Sequence, residues 1–126
     1  MKSLLTLTAF IEVVTGLALI AIPSVTASLL LGVSLIEPSG IILGRIGGAA
    51  LISLAITCWL SRVERHSSLV ITKALVFYNI AASLLLVYGA LIENFSGLGL
   101  WPAVILHVAL LIWCIKSIWS YPSPHP

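Results

Sequence analysis

Four side chains interrupt long apolar stretches of this 126-residue chain and could do chemistry there: Glu12, Arg45, Asn79 and His107. A carboxylate and a guanidinium can form an ion pair or a proton-coupled switch, while an amide and an imidazole can donate and accept hydrogen bonds around it. Glu12 lies near the middle of the first stretch, Arg45 five residues inside the second, Asn79 near the middle of the third and His107 six residues inside the fourth. At a helical rise of about 1.5 Å per residue, all four fall between the centre of a bilayer and its outer leaflet. The simplest arrangement pairs Glu12 with Arg45 and leaves Asn79 and His107 to complete the hydrogen bonding. Such a cluster is either a ligand-binding site, with Glu12 as the titrating group, or an ion pair that fixes helix register.

The elements that must position these residues are four apolar spans, at about 4–22, 40–60, 69–92 and 101–119. Each is long enough to cross a bilayer as a helix, for which about 18 apolar residues suffice, and none alternates with the period of a barrel strand. The expected fold is therefore all-α, an integral membrane bundle of four transmembrane helices. Pro23 breaks the first span, Ser24 is placed to cap a short interfacial helix over 24–31, and Gly32 ends it. Glu37-Pro38-Ser39-Gly40 then turns the chain into the second span. A cleaved signal peptide is the weaker reading of the first span, because Glu12 interrupts it.

Composition agrees. Hydrophobic residues make up 60% of the chain and charged ones 8%, mean hydropathy is +1.21 and net charge is +2. These values exclude a soluble enzyme, and too few cations are present to neutralise a run of phosphates, so no nucleic-acid partner is expected. Lys2, the linker over 61–68 with Arg62, Glu64, Arg65 and His66, Lys73 and Lys116 fall on one side of a four-span chain, opposite Glu37 and Glu93. Loops rich in Lys and Arg stay in the cytoplasm, which places both termini there.

Small residues suggest which faces meet. Thr8, Glu12 and Gly16 recur at four-residue spacing, as do Gly40, Gly44 and Gly48, with Arg45, Ala49 and Ser53 as a parallel ridge; Asn79 and Ser83 repeat the step in the third span. Ridges of this kind let helices approach backbone to backbone, and each face is expected to point inward. Cys58 and Cys114 lie near the cytoplasmic ends of their spans, where thiols stay reduced. His66 belongs to the linker and His125 to the tail, so no metal site and no bis-histidine haem is expected. No nucleophile and base share a depth, which leaves enzyme chemistry without support.

Two resemblances bear on function. At Phe10-Ile11-Glu12-Val13-Val14 the chain is similar to small multidrug resistance exporters, four-helix proteins whose first helix carries an essential glutamate that binds protons and cationic drugs alternately. That likeness covers one helix; the third span lacks the family's Trp and Gly-rich motif. Over its whole length the chain resembles small bacterial four-helix membrane proteins, distantly DoxX-like. The residues that carry this are Ile11-Glu12 with Gly16 and Pro23, Gly44-Arg45 with Gly47-Gly48-Ala49, Cys58-Trp59, Tyr78-Asn79, and Trp101-Pro102 with His107 and Trp113-Cys114. The resemblance implies a bacterial inner-membrane location and no established activity.

The expected function is an accessory, assembly or structural partner of a larger membrane complex, as a homo-oligomer or a subunit. The alternative is small-molecule binding or proton-coupled transport through the Glu12, Arg45, Asn79 and His107 cluster. No cofactor is expected, membrane lipid is the surrounding partner, and lipid or quinone binding is a third reading.

Overall fold

The computed structural model describes residues 1–121, and His125 lies outside them. Five helices follow in order: α1 over Lys2–Ala21, α2 over Pro23–Leu31, α3 over Pro38–Ser61, α4 over Arg65–Leu91 and α5 over Leu100–Trp119. All but α2 are long and apolar enough to cross a membrane, and they coincide with the four apolar spans. Only 17% to 33% of each span is buried inside the chain, so most of its apolar surface faces outward. That much outward apolar surface is what helices of membrane-spanning length and composition present.

The helix boundaries show how local chemistry differs from the expected turns. Pro23 occupies the first turn of α2, where a missing N–H costs nothing, and Ile22 stands at the N-cap position without a side-chain bond. Ser24 is therefore not the cap; its hydroxyl donates to the Leu35 carbonyl at 2.6 Å and ties α2 to the segment before α3. Gly32 ends α2 with φ of 78°, as its position in the sequence suggests. Pro38 opens α3 directly behind Glu37, so Pro38, Ser39 and Gly40 form its first turn rather than a loop. The charged linker is shorter than 61–68: α4 begins at Arg65 because the Glu64 carboxylate accepts from the amides of His66 and Ser67.

Two helix pairs make up the bundle, α1 with α3 and α4 with α5, and the contacts between the pairs are sparser. The α1–α3 pair crosses at Gly16 and Gly48. A Cβ on Gly16 would sit 2.7 Å from the Gly48 carbonyl oxygen, and one on Gly48 would sit 2.6 Å from that of Gly16, so only glycine lets these backbones touch. Gly44 meets Pro23 and Leu35, and Gly40 rests against Leu35 at ordinary contact distance. The glycine ridge of α3 thus finds its partners in the same chain. That assignment rotates the adjacent ridge away, since successive helical residues point about 100° apart. Arg45, Ala49 and Ser53 consequently lie on the exposed side of α3, not the inward side expected for them.

One continuous core joins the helices toward the end that holds the start of α1 and the end of α5. Leu4, Leu5 and Ala9 of α1, Ala55 and Cys58 of α3, Leu75 of α4 and Cys114 of α5 all belong to it. Both cysteines are free and buried. At the opposite end the loop before α5 docks on the end of α2. The amides of Ser96 and Gly99 donate to the carbonyls of Leu31 and Leu29 at 3.2 and 2.8 Å, while Gly97 presses against the Leu30 backbone. Helix-end carbonyls that would otherwise be orphaned are satisfied by another segment of the chain.

Substituting Ala at Gly48 should cost about 1–3 kcal/mol, since neither facing backbone can yield, whereas Gly47→Ala should be close to neutral because open space surrounds it. Thermal or denaturant unfolding in detergent distinguishes them, and equal losses at the two positions would remove the crossing from the account. The Glu64 cap makes a separate forecast. Hydrogen bonds from Ser67 and the His66 amide hold its carboxyl at about 2, below its ordinary 4.5. Because the folded value is depressed, the cap's contribution is complete above pH 4.5 and fades as pH falls toward 2. Protection of the His66 and Ser67 amides, taken against their intrinsic exchange rates at each pH, should fall over that window, and Glu64→Gln should abolish the acid step.

Candidate functional site

The expected polar cluster assembles in part. Glu12 of α1 is 2% exposed and Asn79 of α4 is 1% exposed, directly beyond the apolar core and one turn from Ala9 and Leu75 respectively. His107 of α5 joins them: its Nδ1 is 2.9 Å from Asn79 Oδ1. Arg45 does not join. It stands on the exposed side of α3, because the glycine ridge occupies the side that meets α1.

The place expected for Arg45 beside Glu12 is taken by Tyr78, whose hydroxyl donates to Glu12 Oε2 at 3.3 Å. Sequence reasoning noticed Tyr78 only as the neighbour of Asn79 in a family pattern. The usable signal was that dipeptide: two polar residues side by side on α4 point about 100° apart and can reach two different helices. Tyr78 also meets the His107 ring edge to face, with centroids 5.5 Å apart and planes at 80°. A chain of contacts therefore runs Glu12, Tyr78, His107, Asn79 across α1, α4 and α5.

Hydrogen-bond logic fixes the protonation pattern of its far end. Asn79 donates through Nδ2 to the Leu75 carbonyl at 2.8 Å, and a carbonyl can only accept. The amide oxygen must then face His107, so His107 Nδ1 must be the donor. In the neutral ring this leaves Nε2 as the acceptor. The imidazole is held in one tautomer by a backbone carbonyl acting through the asparagine.

The near end is less saturated. Glu12 offers two carboxyl oxygens, and Tyr78 supplies one long hydrogen bond. One turn before it on α1, the buried Thr8 hydroxyl has no hydrogen-bond partner, and the same holds for Ser83 on α4. Of the other expected packing residues, Gly16 and Gly48 meet each other, Gly40 and Gly44 face Leu35, and Ser53 satisfies itself by donating to the Ala49 carbonyl at 3.0 Å on the exposed side. Among the described residues no three His, Cys, Asp or Glu side chains converge as a metal centre requires. Set against family models, curated proteins and solved structures, the chain matches none of them.

The tautomer can be read directly. Nitrogen NMR of histidine-labelled protein should show His107 protonated at Nδ1 with a free Nε2, and Asn79→Leu should erase that preference. The substitution should also destabilise the bundle by about 1–3 kcal/mol, the cost of stranding a buried donor. A protonated Nε2 in the unaltered protein would show that the amide is oriented the other way.

Proposed function

We propose that this chain is a small integral membrane protein, both termini cytoplasmic, that acts as an accessory or assembly subunit and meets its partner through the exposed ridge of α3. The supporting observation is Arg45. It lies seven residues into a membrane-length helix, about 10 Å from its start, and its side chain is exposed rather than paired with Glu12. A cation at such depth is expensive in lipid, and a carboxylate or a set of carbonyls on a neighbouring chain relieves that cost.

The surface around Arg45 suits close approach. Ala49, Ser53 and Thr57 follow it at four-residue spacing and are exposed. The hydroxyls of Ser53 and Thr57 are folded back on their own helix, to the carbonyls of Ala49 at 3.0 Å and Ser53 at 2.8 Å. This leaves a shallow track of small side chains, and a helix from a second copy or another subunit can settle there with van der Waals contact along its length. The inner glycine ridge is already used by α1, so the two ridges of α3 divide their work: one closes the chain's own fold and the other remains for assembly.

A second reading, binding of a small molecule or proton-coupled transport at Glu12, Tyr78, Asn79 and His107, draws support from the unpartnered Thr8 hydroxyl and the single bond to Glu12. It concerns the interior of the bundle and makes no use of Arg45.

A photo-reactive phenylalanine analogue placed at Ala49 tests the leading reading in native membranes. Cross-linking to one defined partner is expected there and not from Leu85, which lies on the outward side of α4. Arg45→Leu should lower the cross-linked fraction severalfold, while Glu12→Gln should leave it unchanged. Mass spectrometry of the adduct tells a second copy from another protein. If Ala49 captures only lipid and the chain stays monomeric in mild detergent, the assembly reading fails.

A further inference from the structure

Four of the six cationic side chains gather at one end of the bundle. Lys2 of α1, Arg62 of the α3–α4 connection, Arg65 at the start of α4 and Lys116 near the end of α5 line a single open cleft of about 710 Å³. Like charges repel, and either carboxylates or an anion from outside would offset that repulsion. Carboxylates do not offset it. Among the described residues no Asp or Glu lines the cleft, and the one acid of that connection, Glu64, is turned to the α4 amides.

The guanidinium groups are instead positioned by aromatic rings. The Arg62 Cζ lies 3.2 Å from the centroid of Trp59, with Nη1 donating to the Trp59 carbonyl at 2.7 Å. Arg65 stacks 4.7 Å over Tyr121. A ring face attracts a cation without neutralising it, so both groups keep donors for a ligand. Ser117 and Ser120 add hydroxyls to the cleft wall.

A second cavity shares Lys2 with the first. A groove of about 730 Å³ runs between α1 and α3, lined by Leu7, Phe10, Val13, Ile56 and Leu60, and Lys2 borders both cavities. Trp59, which carries Arg62, also lines the groove. A cationic cleft that shares a wall residue with an apolar track along a helix pair matches one class of molecule in both halves. Basic pockets at the cytoplasmic ends of transmembrane helices hold anionic headgroups in this way.

We propose that this end of the protein is a binding site for an anionic glycerophospholipid, its phosphate held by Lys2, Arg62, Arg65 and Lys116 and one acyl chain lying in the α1–α3 groove. The site rests on the bundle being embedded in a membrane, and it is independent of which partner meets α3. Occupied, it clamps the start of α1 to the α3–α4 connection and the end of α5.

Native mass spectrometry of the full chain tests this, with phosphatidylglycerol and phosphatidylcholine of identical acyl chains supplied in equal amounts. Retention of phosphatidylglycerol should exceed that of phosphatidylcholine at least fivefold. Lys116→Gln and Arg65→Gln should each reduce that preference severalfold. Ile56→Trp, which fills the groove without altering charge, should lower retention of the same lipid, and Arg62→Lys should preserve it. Millimolar inorganic phosphate should neither displace the lipid nor raise the melting temperature as the lipid does. Equal retention of the two lipids, or variants indistinguishable from the parent, overturns the proposal. So does phosphate reproducing the full effect, which marks a site for free anions. Alkaline extraction of cell membranes reports insertion separately, and the cross-link at Ala49 reports assembly, so failure of either is told apart from failure of the lipid site.

Discussion

Inside a bilayer the hydrophobic effect gives a helix little reason to prefer another helix over lipid, because both are apolar. Association must come from close packing and from polar groups with nowhere else to go. This chain uses the two devices at different joints. The α1–α3 pair is made by glycine, where the backbones of Gly16 and Gly48 meet with no room for a methyl group between them. Across the joint between that pair and α4–α5, Tyr78 reaches Glu12 on α1, while the adjacent Asn79 reaches the other way to His107 and ties α4 to α5. Direct contact between the pairs is sparser, and the Tyr78–Glu12 bond adds a directional link to the apolar core that also joins them.

The same logic explains why a short loop segment is so tightly held. Carbonyls at the end of α2 lack partners within their own helix, and the amides of Ser96 and Gly99 meet them. Gly97 is required between those two because the loop lies directly on the Leu30 backbone. The Phe95 ring covers Gly89 on the other side, and its amide donates to the Gly89 carbonyl at 2.9 Å. The connection before α5 is thus a buckle that fastens α2 to the α4–α5 pair. It does with backbone hydrogen bonds what Tyr78 does with its side chain deeper in the bundle.

Much of this was legible in the sequence, because lipid imposes length and apolarity on any span that crosses it. The four spans, the stop at Gly32 and the proximity of Glu12, Asn79 and His107 in depth all follow from spacing. Azimuth was not legible. Depth is a running sum of residues, but which way Arg45 points depends on which of two parallel ridges α1 selects, and both ridges have small residues at four-residue intervals. The glycine ridge wins because only it permits backbone contact, and that choice sends Arg45 outward and leaves Glu12 to Tyr78. Boundaries failed for a smaller reason. The sequence marks Pro23 as a break, Pro38 as part of a turn and Glu64 as part of a linker, yet each belongs to a helix start, where proline's fixed φ and glutamate's acceptor oxygens are an advantage.

The distribution of acids sharpens what the exposed cations require. Only four acidic residues exist in the chain. Glu12 is buried against Tyr78, and Glu64 is committed to the first amides of α4. Glu37 occupies the N-cap position of α3, two turns before Arg45, and Glu93 lies on the exposed loop after α4. None of them reaches the cleft formed by Lys2, Arg62, Arg65 and Lys116. A soluble protein disperses such uncompensated charge into water. At the boundary of a bilayer, water is available on one side only, and the lipid headgroups are themselves the densest source of counter-charge. The fold therefore commits Glu12 and Glu64 to internal hydrogen bonds and leaves Arg45 and the basic end without an acidic partner among the described residues, which is the observation that both proposals start from.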